Sequence, residues 1–439
     1  MALSYSAALE RLQEVAQSLR ACRTRQQESV PLEDAVGRIA SCDLASPKST
    51  PEHDTSAMDG YAIRSQATTA ASLENPAVFR IHGTVAAGDD PRHLVAVPDG
   101  DGVEPCVEIM TGGIFPDGAP EFDACVKVED TLLATARGRG CERYVLVTKP
   151  VNPNANRRFA GNDIGKGDVI VKRGETIRLS HLMPLASVGF ESAPVLRKLR
   201  VGVFSTGKEL VRGKGGAADV NGPYLTAALR DMAVDADFLG TLDDDPATLQ
   251  YHLQREADSA LYDVILTSGA VSVGKFDFVR QVLDRMSAEI VFHGLAIRPG
   301  HPVLFALVPS ADRKTAFFGL PGNPGAAAAC FRFLVVPYLR SVQGQGLEQA
   351  EMASLRHSPD HNRHKNTGPG RELDSFRHGV LEAINGGLVV EATEQQSPAK
   401  LWPFIRANCW IHVERDRELE EAGLVKCYPI SPGNVAAAS

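Results

Sequence analysis

Three short turns of small residues stand out for the chemistry they allow: Ser205-Thr206-Gly207, Ser268-Gly269-Ala270-Val271-Ser272-Val273-Gly274 and Leu320-Pro321-Gly322-Asn323-Pro324. Each follows an apolar run that reads as a strand, and the third leads into a helix. Glycine at such turns lets a ligand approach the backbone, and helix N-termini offer N–H groups to anions, so three of them in one domain suit a phosphate-bearing ligand. Any one alone is better explained as a plain strand-to-helix connection. There is no GxxxxGK[ST] and no strand-GxGxxG unit, which sets aside the ordinary P-loop and dinucleotide readings.

Carboxylates crowd the same edge. Glu209 follows the first turn, Asp219 precedes the next helix, Asp243-Asp244-Asp245 follows the next strand, and Asp277 lies three residues past Gly274. Like charges converging on one place repel unless a cation sits among them, so a Mg²⁺-type site with oxygen ligands is one reading. Helix capping is the other, since Asp245 stands before Pro246 and Asp277 can favour a helix start. Spacing alone leaves the two level.

The scaffold that must position these groups is long. The 439 residues set a prior of about three domains, and 44% hydrophobic with 23% charged residues is ordinary for a folded chain. Residues 196–343 alternate strand-like runs (199–204, 263–267, 315–318) with helix-like ones (224–232, 246–260, 276–286, 326–339), the pattern of βαβ units around a parallel sheet. Residues 51–150 are short apolar runs split by Gly, Pro and Asp, a β-rich insert. Residues 1–50 and 151–195 flank it and read as one discontinuous helical linker domain, with helices over 4–22, from Pro31 to about Cys42, and over 180–188. Residues 344–439 return to short strands and read as a C-terminal all-β, barrel-like domain. The fold class is therefore α/β plus β, multidomain.

A net charge of -8 is the wrong sign for coating nucleic acid or anionic lipid. No apolar run approaches the roughly eighteen residues that cross a bilayer, and Glu10 and Arg11 stand where a signal peptide needs its apolar stretch, so a cytoplasmic protein without a membrane span is expected. Cys22, Cys42, Cys106, Cys125, Cys141, Cys330, Cys409 and Cys427 are far apart with no CxxC pair, and read as reduced, mostly buried thiols.

Two further stretches, Ser56–Ala62 and Met110–Gly113, have compositions that neither helical nor strand periodicity explains. With SAMDGYA (56–62), GTVAAGD (83–89), IMTGG (109–113), VKVED (126–130), GNDIGKGD (161–168), VFSTGKELV (203–211), DVN (219–221), TSGAVSVGKFDFV (267–279), IRPGHP (297–302), GLPGNP (319–324), PGR (369–371) and NCWIHVERDR (408–417) in this order, the chain resembles the molybdopterin molybdenumtransferases, or molybdenum insertases, and the equivalent E domain of gephyrin. The ordered set spans nearly the whole chain.

That resemblance implies an elongated four-domain homodimer whose site lies between the α/β domain of one subunit and the β insert of the other. It implies that adenylylated molybdopterin and molybdate give molybdenum cofactor and AMP, with Mg²⁺. Carried over by motif, the acidic catalytic residues are Asp59, Asp163, Glu209, Asp244 and Asp277, of which Glu209, Asp244 and Asp277 would hold the metal. Thr111, Arg158, Thr206, Gly207, Ser268, Gly269, Ser272, Gly274, Pro321, Gly322 and Asn323 would line the substrate, and Arg298, Arg371 and Lys400 the molybdate.

The departures are specific. The family's glycine pair is Gly269-Ala270 here, and its molybdate lysines fall on Gly294, Arg298 and His301. Arg298 keeps a charge with different geometry, Gly294 supplies none, and His301 supplies one only in part at neutral pH, so a lysine at 294 is expected to strengthen capture if the backbone tolerates it. The Ser-rich stretch before Asn408 reads Ser397-Pro398-Ala399-Lys400, with Lys400 placed to replace a missing cation. Adenylylation would need a further domain, so a separate molybdopterin adenylyltransferase is expected as partner. The alternative function is a diverged, non-catalytic molybdopterin-binding or scaffolding protein.

Overall fold

The computed structural model describes residues 2–23, 26–93, 102–116, 122–136, 142–211, 218–269, 278–310, 313–356, 373–394, 396–415 and 423–431. The α/β domain is a six-stranded sheet in the order Asp235–Leu242, Arg200–Thr206, Val264–Ser268, Lys314–Leu320, Leu304–Pro309, Glu289–His293. The first four are mutually parallel, and Leu304–Pro309 runs antiparallel to both of its neighbours. Because the first strand in sequence lies between the second and third, the winding reverses between Arg200–Thr206 and Val264–Ser268. A crevice opens at the carboxyl ends of strands at such a reversal. The register pairs Ser205 with Ser268 and Ser268 with Leu320, so the three small-residue turns leave the sheet side by side.

Helices cover both faces, which is why Val264–Ser268 is buried throughout and reads as a continuous apolar run. One face packs Val201, Val203, Leu225, Leu229, Leu266 and Phe318, the other Phe204, Leu249, Leu253, Ile265, Val282 and Phe317. The strand expected before the acidic run is Asp235–Leu242, and two further strands of this sheet, Glu289–His293 and Leu304–Pro309, escape the sequence pattern. Asp235–Leu242 and Glu289–His293 lie at the edges, where partial exposure admits Asp235, Asp237 and Glu289 and blurs the period.

The expected helix over 326–339 extends as Pro324–Cys330, a π turn at Phe331–Val335 and Val336–Val342. By length and composition Pro324–Val342 could cross a bilayer, correcting the expectation that no run approaches that length, but 83% of the apolar window is buried inside the protein. It is a core helix.

The N-terminal helix, Tyr5–Arg23, buries Tyr5, Ala8, Leu12 and Ala16 in the α/β core, not among the linker residues with which the sequence groups it. Its stripe of apolar side chains fixes burial without naming the surface it meets. The helix expected from Pro31 to Cys42 is only the 3₁₀ turn Leu32–Asp34. The linker instead joins its two pieces by strands: Gln27–Pro31 pairs with Ser192–Leu196, and Leu44–Ala45 with Val169–Val171, around Leu32, Leu44, Val171, Ile177, Leu185 and Val195. Helix Leu179–Ser187 completes it.

The insert is a six-stranded sheet ordered Ala124–Lys127, Gly60–Ile63, Glu104–Ile109, Ala77–Val85, Glu142–Val147, Thr131–Ala136. The C-terminal strands Glu351–Arg356, Asp374–Ile384, Gly387–Ala392, Cys409–Val413 and Leu424–Pro429 close into a barrel because Asp374–Ile384 pairs with both Gly387–Ala392 and Cys409–Val413. Ile297–Arg298, an offshoot of the α/β domain, adds to it in parallel.

The barrel is fastened to the core helix. Arg332 donates to both oxygens of Glu348 at 2.7 and 2.6 Å and to the Pro429 carbonyl at 3.0 Å, and both side chains of this ion pair are nearly buried. Such a pair resists removal of one partner, since the other charge is stranded. Phe333 stacks on Phe376 at 3.9 Å. Cys42, Cys106, Cys125, Cys330, Cys409 and Cys427 are free thiols, Cys42 the exposed one.

Candidate functional site

At the crevice, Asn221 draws the turns together. Its side-chain amide donates to Ser268 Oγ at 2.6 Å and to the Gly322 carbonyl at 2.8 Å. Thr206 Oγ1 donates to the Ser268 carbonyl at 3.2 Å, and the Gly269 N–H to the Leu320 carbonyl at 3.0 Å. Asp219 orients the start of the Asn221–Asp231 helix by accepting the N–H groups of Asn221 and Gly222 at 3.1 and 3.0 Å. Sequence reasoning marked Asp219 as a possible ligand and passed over Asn221 as a clamp; the DVN motif was the available signal. Asn323 and Gly322 are exposed and Pro321 buried, and Asn323 does not use its side chain to cap the helix that follows.

Gly269 cannot be replaced at this turn. Its φ is +103°, and a β-carbon would lie 2.4 Å from the Thr206 carbonyl oxygen. Gly207 carries Glu209 folded over it, so close that a β-carbon there would lie 2.7 Å from a carboxylate oxygen. Glu209 itself is exposed. Asp244 accepts from the Lys208 N–H at 3.3 Å, which places its carboxylate beside the Glu209 segment.

The acidic run divides its work. Asp245 caps the Pro246–Asp258 helix through Thr248, and those hydrogen bonds hold its carboxyl below the usual range. Asp243 accepts the Asp244 N–H at 2.8 Å. Capping therefore explains Asp245 and leaves Asp244 facing the crevice edge. No group of three or more His, Cys, Asp or Glu meets as a metal cluster among the described residues. The oxygen-only donors Glu209 and Asp244 suit a hard cation such as Mg²⁺. Asp277, Ser272, Gly274, Ala270 and Arg371 lie outside the described residues.

A second cluster forms on the insert. Asp59 accepts the Thr111 N–H at 2.7 Å and the Thr111 hydroxyl at 2.9 Å, and these two bonds hold its exposed carboxyl below the usual range. Three loops build it: Gly112 N–H reaches the Ser56 carbonyl, Ser56 N–H the Gly113 carbonyl and Ala57 N–H the Asn156 carbonyl, each at 2.9 Å. Strand Arg157–Arg158 pairs with Thr55–Ser56, which turns Arg158 outward while Arg157 pairs with Asp54. Asp163 is exposed on the loop after it, its N–H bound to the Thr50 carbonyl at 3.1 Å. None of these bonds crosses from the insert to the α/β domain.

Two cations lie together on the barrel's added strand and its neighbour. Arg298 is exposed, and Arg377, which sequence reasoning missed, lies near it: burial first, then the Arg298 charge, lower the Arg377 pKa. Their nearness comes from the parallel pairing of Arg298 with Ser375, two residues before Arg377. His301 Nδ1 lies 2.6 Å from the Leu295 carbonyl, so one ring nitrogen is tied to the backbone. Gly294 has φ +81°, so a lysine there is strained whatever the space around it, against the expected gain from restoring that charge. Pro398 accepts the Gly325 N–H at 2.8 Å, which brings the Ser397–Lys400 segment onto the start of the core helix.

Comparison with known proteins meets this geometry. Residues 3–189 match the MoeA N-terminal region (domain I and II), and residues 202–341 match a probable molybdopterin binding domain. The chain is 35% identical to the molybdopterin molybdenumtransferase of Synechococcus elongatus over 352 residues, covering 79% of this chain and 82% of that one. It is 31% identical to that of Haemophilus influenzae over 403 residues, covering 91% and 92%. The molybdopterin biosynthesis moeA protein of Pyrococcus horikoshii superposes with a TM-score of 0.75 at 29% identity, covering 96% of this chain and 98% of that one. Because these likenesses embrace both the insert cluster and the crevice, and run through most of each relative's length, the chain belongs to the molybdopterin molybdenumtransferase family.

Proposed function

We propose that the protein transfers molybdenum from molybdate to adenylylated molybdopterin, forming molybdenum cofactor and releasing AMP. The observation that carries this reading is the convergence of the three turns through Asn221, with Glu209 and Asp244 at the same edge. Phosphate oxygens would sit over Gly269 and Gly322, beside the Asn221 amide, with the Glu209 carboxylate folded over Gly207 at the same edge. Asp244 and Glu209, with Asp277, would hold Mg²⁺, which when bound supplies charge neutralisation between phosphate and carboxylate oxygens. Thr111 keeps Asp59 ionised and aimed, ready to orient a donor group of the substrate or a water.

Molybdate is a dianion beside carboxylates, so fixed cations must capture it. Arg298, Arg371 and Lys400 fill that role, with Arg377 adding charge behind Arg298. Guanidinium hydrogen bonds to oxyanions contribute about 1.5–3 kcal/mol each. The two clusters work together across a homodimer, Asp59 of one protomer facing Glu209 of its partner, and a separate adenylyltransferase supplies the substrate. The non-catalytic reading rests on Gly294, whose left-handed backbone suits glycine, standing where the resemblance expects a cation. Turnover separates the two: purified protein given adenylylated molybdopterin, Mg²⁺ and molybdate should release AMP and yield cofactor that activates an apo-molybdoenzyme. Binding of the substrate without AMP release would leave only the non-catalytic reading.

A further inference from the structure

Residues 397–406 form a strap pinned at both ends to the elements that build the crevice. At one end the Gly325 N–H donates to the Pro398 carbonyl, two residues after Asn323, and the fit is close: a β-carbon on Gly325 would lie 2.9 Å from that oxygen. At the other end Phe404 packs edge-on against Tyr224 with ring centroids 6.1 Å apart, one helical turn after Asn221. Phe404 also meets His378 at 4.3 Å, so the second anchor joins the barrel to the crevice helix.

Between the anchors the chain turns outward. The Lys400 N–H closes a turn onto the Ser397 carbonyl at 3.0 Å, and Trp402 opens the short helix Trp402–Arg406. Phe404 faces inward, whereas Trp402 is 63% exposed and Lys400 is exposed as well. An indole carries a large apolar face that burial or stacking favours, and nothing in the fold of this strap requires a tryptophan at an exposed position. Trp402 lies four residues from Pro398 and two from Phe404, so its backbone is within about 14 Å of the first anchor and about 7 Å of the second even at full extension.

We propose that Trp402 is a stacking platform at the crevice rim for a planar heteroaromatic ring of an anionic substrate, with the Lys400 charge on the side of its phosphate. This rests on the proposed function, whose substrate carries two such rings, an adenine and a pterin. Stacking between a base and an aromatic side chain tolerates any ring with a π face, so the platform sets affinity for ring-bearing phosphates over plain ones.

The protein carries its own probe. It has two tryptophans, Trp402 at the surface and Trp410 fully buried, so Trp402→Phe assigns the exposed component of the emission, and Trp410 reports that the fold is intact. AMP, 6-hydroxymethylpterin phosphate and ribose 5-phosphate are titrated by calorimetry and fluorescence. The ring-bearing phosphates should quench the Trp402 emission saturably and ribose 5-phosphate should not. Trp402→Ala should weaken the ring-bearing ligand by about tenfold, and Trp402→Phe by about twofold. A loss confined to AMP assigns the platform to adenine, and one confined to the pterin assigns it to that ring. Equal affinity of wild type and Trp402→Ala for both overturns the platform alone. If wild type binds neither ring-bearing phosphate, the proposed function falls with it.

Discussion

Asp245 commits one carboxylate oxygen to Thr248, whose N–H and hydroxyl reach it at 2.8 and 2.7 Å, while Asp244 beside it accepts, among the described residues, a 3.3 Å bond from the Lys208 N–H. Spacing could not say which aspartate of this run is the cap; the hydrogen bonds assign that part to Asp245. Two variants should therefore behave in opposite ways. Asp245→Ala loses a cap and should lower the melting temperature by about one or two degrees with turnover nearly intact. Asp244→Asn keeps the shape but removes a charge from the crevice edge, and should reduce AMP release at least about a hundredfold at unchanged melting temperature. Equal turnover in wild type and Asp244→Asn would remove this carboxylate from the site.

At the level of elements, the turn between Val264–Ser268 and the next helix depends on a backbone only glycine tolerates. Gly269→Ala should destabilise the protein by on the order of 3 kcal/mol, read from urea unfolding, and abolish ligand binding. The strap depends on His378, which is buried between Phe404 and Trp410 with Nε2 unpartnered among the described residues. Desolvation pushes its pKa down to about 4, partly offset by Gln396. Since the folded value lies below the unfolded 6.5, the unfolded chain binds more protons between these limits. The contribution is fully present above about pH 6.5 and is lost as pH falls through 4, on the order of 3 kcal/mol in all. Urea midpoints from pH 7 to 4.5 should fall less steeply in His378→Phe than in wild type; parallel curves would contradict the assignment. What the sequence revealed follows the same division. Turn residues such as Gly207 and Gly269 announce themselves because φ and close approach are local demands. Asn221 as a clamp and Arg377 beside Arg298 stayed hidden because each depends on which strands are neighbours, and the stripe of Tyr5–Arg23 could not say that its partner was the core helix.

For the molecule as a whole, the Asp59–Thr111 cluster is held by bonds within the insert and its adjoining linker loop, and the crevice by bonds within the α/β domain. A symmetric dimer that pairs one cluster with the other would contain two equivalent composite sites. Complementation tests this most directly. Asp59→Asn and Asp244→Asn proteins, each inactive alone, are mixed under conditions that exchange subunits and assayed for AMP release from adenylylated molybdopterin with molybdate. Random exchange makes half the dimers mixed, each with one intact site and one doubly altered, so about a quarter of wild-type activity should return. If exchange is verified by mass and activity stays at the level of the separate variants, Asp59 and Asp244 do not meet across subunits, and the account of the site is wrong.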